Sequence, residues 1–243
     1  MTSLGVVTGG AGGIGKAIVR RLASDGFHVA IVDRDREQLE SLATQLRSQG
    51  IRNFETHVCD LTSGDELDDL VGRWTEVAAL VNNAGLFDES GLLNLVPDDF
   101  RRMYELNLIA VAELTRRVAP LMPHGGKIVN IASRAYLGAR NHAHYVAAKA
   151  ALVGYTRASA IELAAQGILV NAVAPGLVDT PMLRALSPER LQAQLALQPT
   201  GEAGRPEDIA NAVSFLAAPK MSFITGQVLL VDGGKSLGGL GAG

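Results

Sequence analysis

One cysteine, Cys59, stands in the whole chain, so no internal disulfide can form. No Cys/His grouping has the spacing of zinc ligands. A lone thiol among apolar neighbours is expected to be a small core residue. No apolar run approaches the roughly 20 residues that a membrane span needs. Excess positive charge is missing too: the formal net charge is −3 with a pI near 6.0, which leaves no footprint for nucleic acid or an anionic membrane. The pairs Arg20-Arg21, Arg101-Arg102 and Arg116-Arg117 fall in helical stretches and read as solvated faces. The N-terminus enters Leu4-Gly5-Val6-Val7 with no basic stretch and no long apolar run. No signal peptide is evident there, and a soluble cytoplasmic protein is expected. Proline-rich linkers, low-complexity tracts and internal repeats are absent, which favours one domain over residues 1–243.

What is present is apolar material in quantity. Hydrophobic residues make up 47% of the chain, enough to fill a large core without disulfides or a structural metal. Leu4–Thr8, Val29–Asp33, Ala78–Val81, Lys127–Ala132, Ile168–Ala174 and Val228–Val231 are apolar on both faces, as strands of a covered parallel sheet are. Arg52–Val58 is a weaker seventh candidate. Between them run helical stripes: Leu39, Leu42 and Leu46; Leu67, Leu70 and Trp74; Phe100, Met103, Asn107, Ala110, Val111 and Leu114. This βαβα order predicts an α/β fold, a doubly wound and mostly parallel seven-stranded sheet with helices on both faces. Residues Gly176–Gly204 break the rhythm with Pro181, Pro188 and Pro199. A short helix is expected there, with Ser187 as N-cap, Pro188 at its first position and Arg190–Leu197 following. A connection this long is usually functional, and 177–203 reads as a substrate lid. The glycine-rich tail Leu237–Gly243 is expected to fray.

The segment Thr8-Gly9-Gly10-Ala11-Gly12-Gly13-Ile14-Gly15 follows the first strand and opens a helix through Ile18, Val19 and Leu22. Glycines let the backbone turn tightly and approach a pyrophosphate, which the N–H groups and dipole of the helix N-terminus stabilise. Gly10, Gly12 and Gly15 fit G-x-G-x-x-G; Thr8, Gly9, Gly13 and Gly15 fit T-G-x-x-x-G-x-G. Asp33 closes the second strand, where a carboxylate can accept the ribose hydroxyls of NAD and repel the extra phosphate of NADP. Arg34 beside it could instead reach that phosphate, so NAD is favoured over NADP without excluding it.

Asn82-Asn83-Ala84-Gly85 follows the fourth strand, Tyr145 and Lys149 form Y-x-x-x-K, and Ser133 stands twelve residues before Tyr145. With the glycine loop, this ordered set resembles the short-chain dehydrogenase/reductase family. The likeness runs on through Asn107, Asn171–Gly176, Thr180-Pro181-Met182, Gly204–Asp208, Thr225–Gln227 and Asp232-Gly233-Gly234. It implies a single-domain Rossmann fold and hydride transfer between a nicotinamide and a secondary alcohol or ketone. It further implies that Tyr145 is the general acid/base, that Ser133 orients the substrate oxygen, that Lys149 binds the nicotinamide ribose and that Asn107 completes a proton relay. Cofactor contacts are implied for Gly9, Gly13, Ile14, Gly15, Asp33, Arg34, Asp60, Leu61, Asn83, Ala84, Gly85, Tyr145, Lys149, Pro175, Gly176, Val178 and Thr180. Asp60 would meet the adenine, and Val178 and Thr180 the phosphate and nicotinamide ends. A homotetramer is implied as well.

Residues four apart share a helix face, which brings Lys149 near Tyr145. A positive charge at ~4 Å in an effective dielectric of ~20 is worth about 4 kcal/mol, enough to lower a phenol pKa of about 10 by up to roughly three units. Ser133 would donate where negative charge develops on oxygen. Between Ser133 and Tyr145, the residues Arg134, Arg140, His142 and His144 point to a polar or anionic substrate group, while no carboxylate or thiol completes a metal site. Leu86, Phe87, Leu177, Met182, Leu183 and Leu186 supply candidates for an apolar wall. Two alternatives stay open: an NADPH-linked 3-oxoacyl-thioester reductase, and a non-catalytic cofactor-sensing protein on the same fold.

Overall fold

Alternate residues of the buried strands feed two separate cores, which is what a sheet covered on both faces requires. In the computed structural model, which describes residues 3–238, Val7, Val29, Ile31 and Val81 join one cluster, while Val6, Ala30, Val32 and Leu80 join the other. The first cluster is closed by α1 (Gly13–Ser24), α2 (Arg36–Ser48) and α9 (Pro206–Ala217) through Ile18, Leu22, Leu39, Leu42, Ile209 and Val213. The second is closed by α3 (Gly64–Val71), α5 (Ala110–Val118) and α6 (Ala143–Leu163) through Leu67, Leu70, Leu114 and Ala160. Cys59 is a buried member of this second core, and burial, then the nearby Glu66 and Asp60, push its thiol up to about 11. It is inert packing.

The strands are β1 (Leu4–Thr8), β2 (His28–Asp33), β3 (Phe54–Val58), β4 (Ala79–Asn82), β5 (Lys127–Ile131), β6 (Leu169–Pro175) and β7 (Val228–Val231). All pairings are parallel, in the order β3-β2-β1-β4-β5-β6-β7. The winding reverses between β1 and β4, so a crevice opens at their C-terminal ends, the usual ligand position in such sheets. The register sets Thr8 beside Val32, Asp33 beside Val58 and Asn82 beside Asn130. Asn82 and Asn130 are buried amides, which is costly unless they are paired. Asn82 donates to Asn130 at 2.8 Å, and Asn130 donates to the Thr156 hydroxyl of α6 at 2.9 Å.

Two local readings change. The stripe from Phe100 to Leu114 is not one α-helix: α4 (Pro97–Tyr104) passes into a π-helical turn over Glu105–Ile109 before α5 begins. Such turns put one extra residue into a helix and often mark functional positions; this one carries Asn107. The irregular region contains α7 (Pro181–Arg184), which no spacing foretold, and α8 (Pro188–Leu195), where the Ser187 hydroxyl accepts from the Arg190 N–H as expected of an N-cap. The last five residues of the tail, 239–243, lie outside the described residues. No described helix is long and apolar enough to cross a membrane, and no described group of His, Cys, Asp and Glu is arranged to hold a metal.

Candidate active site

The glycine loop is held from below by β4. The Thr8 hydroxyl accepts from the N–H groups of Asn83 and Ala84 at 3.0 and 3.1 Å, and the Asn83 amide donates to the carbonyls of Thr8 and Gly9 at 2.9 and 3.0 Å. Gly9 sits at φ +59°, and a methyl group there would lie 2.8 Å from Ala84 Cα. Only glycine fits that turn. Gly12 caps α1 with no side chain, and no acidic residue stands in the first turn, whereas Asp35 and Ser63 cap α2 and α3 with their side chains. The first-turn N–H groups of α1 are therefore left for an outside anion, and the loop fits the pyrophosphate of a dinucleotide. The segment after β6 closes on the same loop: a methyl on Gly13 would meet Thr180 at 3.1 Å. At that strand end, Pro175 and Val178 are buried, and the Gly176 N–H donates to Val231.

Asp33 does more than cap a strand. One carboxylate oxygen accepts from the Ala11 N–H at 3.1 Å and the other from the Asp35 N–H at 3.2 Å. It ties β2 to the loop and leaves lone pairs on both oxygens for further donors. Arg34 is exposed and lies in the field of Asp35 and Asp60. The Gln38 N–H and then its side-chain amide hold the Asp35 carboxyl below its ordinary range, with Arg34 a lesser cause. In Asp60 the larger cause is the hydrogen bonding from Thr62, backbone first and then hydroxyl. Leu61 turns its side chain into the core, and Ile14 also packs partly against the core.

Ser133, Asn107, Tyr145 and Lys149 converge beyond this loop. Lys149 is buried; its Nζ donates to the Ile131 carbonyl at 2.8 Å and stands 5.9 Å from the centre of the Tyr145 ring. Burial pushes its ammonium down to about 8. Asn107 is fully buried at the π turn, donating to the carbonyls of Leu86 and Met103 at 2.9 and 3.1 Å and accepting from the Leu86 N–H at 3.2 Å. A methyl on Gly85 would lie 2.8 Å from the Asn107 oxygen and 3.5 Å from Lys149 Nζ, so these three residues meet. The Tyr145 phenol departs from expectation. Burial pushes its pKa up, and a polar contact with Ser133 pulls it only partly back. Desolvation is the larger of these two causes. The phenol is held as an acid.

A family model described as enoyl-(acyl carrier protein) reductase, of the short-chain alcohol dehydrogenase type, matches residues 9–236. The chain belongs to the short-chain dehydrogenase/reductase family. Among its relatives in this family, a 3-oxoacyl-[acyl-carrier-protein] reductase of Rickettsia bellii is 40% identical over 232 residues, 94% of this chain and 95% of that one. The (2S)-[(R)-hydroxy(phenyl)methyl]succinyl-CoA dehydrogenase subunit of Thauera aromatica is 41% identical over 238 residues, 96% of each. A Brucella melitensis glucose/ribitol-dehydrogenase-type member superposes with TM-score 0.89 at 34% identity, covering 96% of both chains. A metagenomic blue fluorescent protein solved with NADPH gives 0.88 at 36% identity, covering 96% and 97%. The chain is thus an oxidoreductase of this family with a Rossmann-type fold.

The fold sorts the remaining candidates of this short-chain dehydrogenase/reductase. Phe87 joins the site, its ring edge-on to Tyr145 at 5.1 Å and tilted against His142 at 5.2 Å. His144 does not. It is fully buried against Phe100, because one residue along a helix turns the side chain by about 100° away from its neighbour Tyr145. Arg140 and Met182 are exposed, while Leu183 is buried. Sequence spacing gave no sign of an ion pair between Glu89, just after β4, and Arg190 on α8, with both carboxylate oxygens at 2.9 Å. A cleft of about 320 Å³ at the β3 edge, lined by Arg36, His57 and Arg73 among others, lies four strands from β5 and takes no part.

Proposed function

We propose that the chain interconverts 3-oxoacyl and 3-hydroxyacyl thioesters with NAD(H), Tyr145 acting as general acid/base. The observation that carries this reading is the Tyr145 phenol, in polar contact with Ser133 beside the loop that fits a dinucleotide, its pKa raised by burial. Reduction of a ketone needs such an acid. When bound, a reduced nicotinamide supplies the hydride. Ser133 donates a hydrogen bond to the carbonyl oxygen as negative charge builds there, and Tyr145 passes its proton to that oxygen. Lys149 and Asn107 hold the base of the site, the lysine by its charge and the asparagine by fixing the Gly85–Leu86 backbone. Thioester substrates are supported by the printed names of the Rickettsia and Thauera relatives, and this shifts the reading from a general alcohol to the thioester alternative. NAD over NADP is supported by Asp33 at the end of β2, with the Asp35 and Asp60 carboxylates lying in the field of Arg34.

The test is initial rates, followed by nicotinamide absorbance, over 3-oxoacyl thioesters, 3-hydroxyacyl thioesters and simple alcohols and ketones, with both cofactors. Turnover of the thioesters with NAD(H), abolished in Tyr145→Phe, is the expected result. A better rate with simple alcohols overturns the thioester reading, and preference for NADP overturns the Asp33 argument. The description of the family model favours one second reading, enoyl-thioester reduction, so a 2-enoyl thioester belongs in the panel. We propose in addition that the chain assembles as a homotetramer. Support comes from Ile109 and Ile161, apolar residues of the π turn and α6 left 44% and 79% exposed; light scattering at one subunit mass overturns it.

A further inference from the structure

The basic residues between Ser133 and Tyr145 do not converge on the phenol. Arg140 is exposed, and Arg134 donates to the Gly138 carbonyl at 3.3 Å across its own 3-10 turn, Arg134–Leu137. His144 is fully buried against Phe100. His142 is half-buried, and burial pushes its imidazole down, with Glu89 opposing, so the ring is uncharged near neutrality. Its Nδ1 is enclosed without a hydrogen-bond partner, so that edge of the ring offers nothing to a polar ligand. Arg190 on α8 is paired with Glu89.

What does meet Tyr145 is aromatic. Phe, Tyr and Trp make up only 5% of the chain, so rings gathered at this phenol are not a by-product of composition. The Phe87 ring stands edge-on to the Tyr145 ring, with centres 5.1 Å apart and planes at 87°. His142 tilts against Phe87 at 5.2 Å and 57°. Both separations fall in the range that aromatic pairs prefer. The loop that carries Phe87 borders the catalytic lysine, since a methyl on Gly85 would lie 3.5 Å from Lys149 Nζ. Backbone contacts fix the loop against the strap before α6: the Ser90 N–H donates to the Asn141 carbonyl at 2.8 Å, and Ser90 and His142 form a parallel bridge. Phe87 nevertheless stays 37% exposed. A large apolar ring, packed on the phenol and held by its loop, keeps part of its surface open next to Tyr145.

Resting on the carbonyl reduction proposed above and narrowing its substrate, we propose that Phe87, backed by His142, is a specificity-determining residue that receives a flat aromatic group on the substrate's carbonyl carbon. A substituent on the carbon whose oxygen takes the Tyr145 proton comes next to the Phe87 ring. An aryl group there adds a fourth ring to the cluster. A saturated ring of the same size buries similar area without the edge-to-face attraction. In the thioester series the substrate class is then a 3-aryl-3-oxoacyl thioester.

The experiment reads a ratio: kcat/KM for acetophenone over that for methyl cyclohexyl ketone, with saturating NADH, in wild type, Phe87→Leu and Phe87→Tyr. The two ketones differ in intrinsic reactivity, which cancels when the ratio is compared between proteins. Phe87→Leu is expected to lower the ratio about threefold to tenfold, and Phe87→Tyr, which keeps the ring, to retain it. A ratio unchanged in Phe87→Leu, or lost equally in Phe87→Tyr, overturns the aromatic subsite while the reduction reading stands. Binding of the same ketones to the NAD-loaded protein, where no hydride is available, is followed by ligand-observed NMR and separates the two readings. If no ketone or thioester turns over, yet acetophenone binds more tightly than the cyclohexyl ketone and Phe87→Leu removes the difference, the subsite stands and the reduction reading falls. If nothing turns over and binding shows no such difference, both fall.

Discussion

Gly85 and Asn107 touch so closely that a methyl on the glycine would stand 2.8 Å from the asparagine oxygen. The contact spans two elements, the loop after β4 and the π turn, and it fixes where the Leu86 backbone runs past Lys149. Gly85→Ala is expected to push the Asn107 side chain off the Leu86 N–H and carbonyl, leaving buried polar groups unpaired at about 1–3 kcal/mol. Urea denaturation should show that loss, and kcat should fall by roughly tenfold or more because the floor of the site moves. Unchanged kcat in a folded variant would show that Asn107 has no positioning role.

Asp33 carries two separable duties, and Asp33→Asn splits them. The amide oxygen still accepts from the Ala11 N–H, so the loop is retained, while the amide NH2 takes the place of the oxygen that accepted from the Asp35 N–H. The negative charge goes. The KM for NAD is expected to rise and that for NADP to fall, a combined swing of about tenfold or more. A variant with unaltered cofactor preference would mean that the Asp35 and Asp60 carboxylates set the choice.

Lys149 ties activity to a stability cost with a defined pH window. Its folded pKa is about 8 against an ordinary 10.5, so between these values the unfolded chain binds more protons than the folded one. Stability from this group therefore rises as pH climbs from about 8 to 10.5, and the burial penalty is fully present below pH 8. Lys149→Met removes that penalty. In the cofactor-free protein it should be inactive yet more stable at pH 7 by up to about 3 kcal/mol, with the gap closing as pH passes 10.5. Urea midpoints measured from pH 6 to 11 check the sign. A variant less stable than wild type at pH 7 would show that the hydrogen bond to Ile131 outweighs burial.

The Glu89–Arg190 pair crosses from the β4 loop to α8 beside Phe87 and Tyr145. Both side chains are exposed, 41% and 56%, so Arg190→Ala should change stability by no more than about 1 kcal/mol. Its effect is expected on gating. Substrate KM should rise several-fold while Tm holds, and about 0.5 M salt should raise the wild-type KM in the same way by screening the pair. Equal KM values in variant and wild type would remove any role for this contact in closing the 177–203 segment.

Six strands were legible because each is apolar on both faces, as a doubly covered sheet requires, whereas the edge strand β3 carries Glu55, Thr56 and His57 and gave a weaker signal; the observed ends of all seven differ by at most two residues from the expected ones. The phosphate loop was legible because its glycines are forced by local backbone geometry. His144 was misplaced because adjacency in sequence says nothing of which helix face a residue takes. The π turn was missed because the extra residue leaves the apolar stripe Phe100–Leu114 intact to the eye.

By itself the sequence determined what short-range physics dictates: strand order by type, the glycine loop at the start of α1, the acidic end of β2, and the spacing of Ser133, Tyr145 and Lys149. The tertiary structure decided everything set by distance between segments far apart in the chain. It placed Lys149 against the Ile131 carbonyl, 5.9 Å from the centre of the Tyr145 ring, and buried the phenol so that its pKa is raised. It joined Glu89 to Arg190. Solvation and Coulomb energy depend on three-dimensional separation and burial, and neither quantity is written in the order of residues.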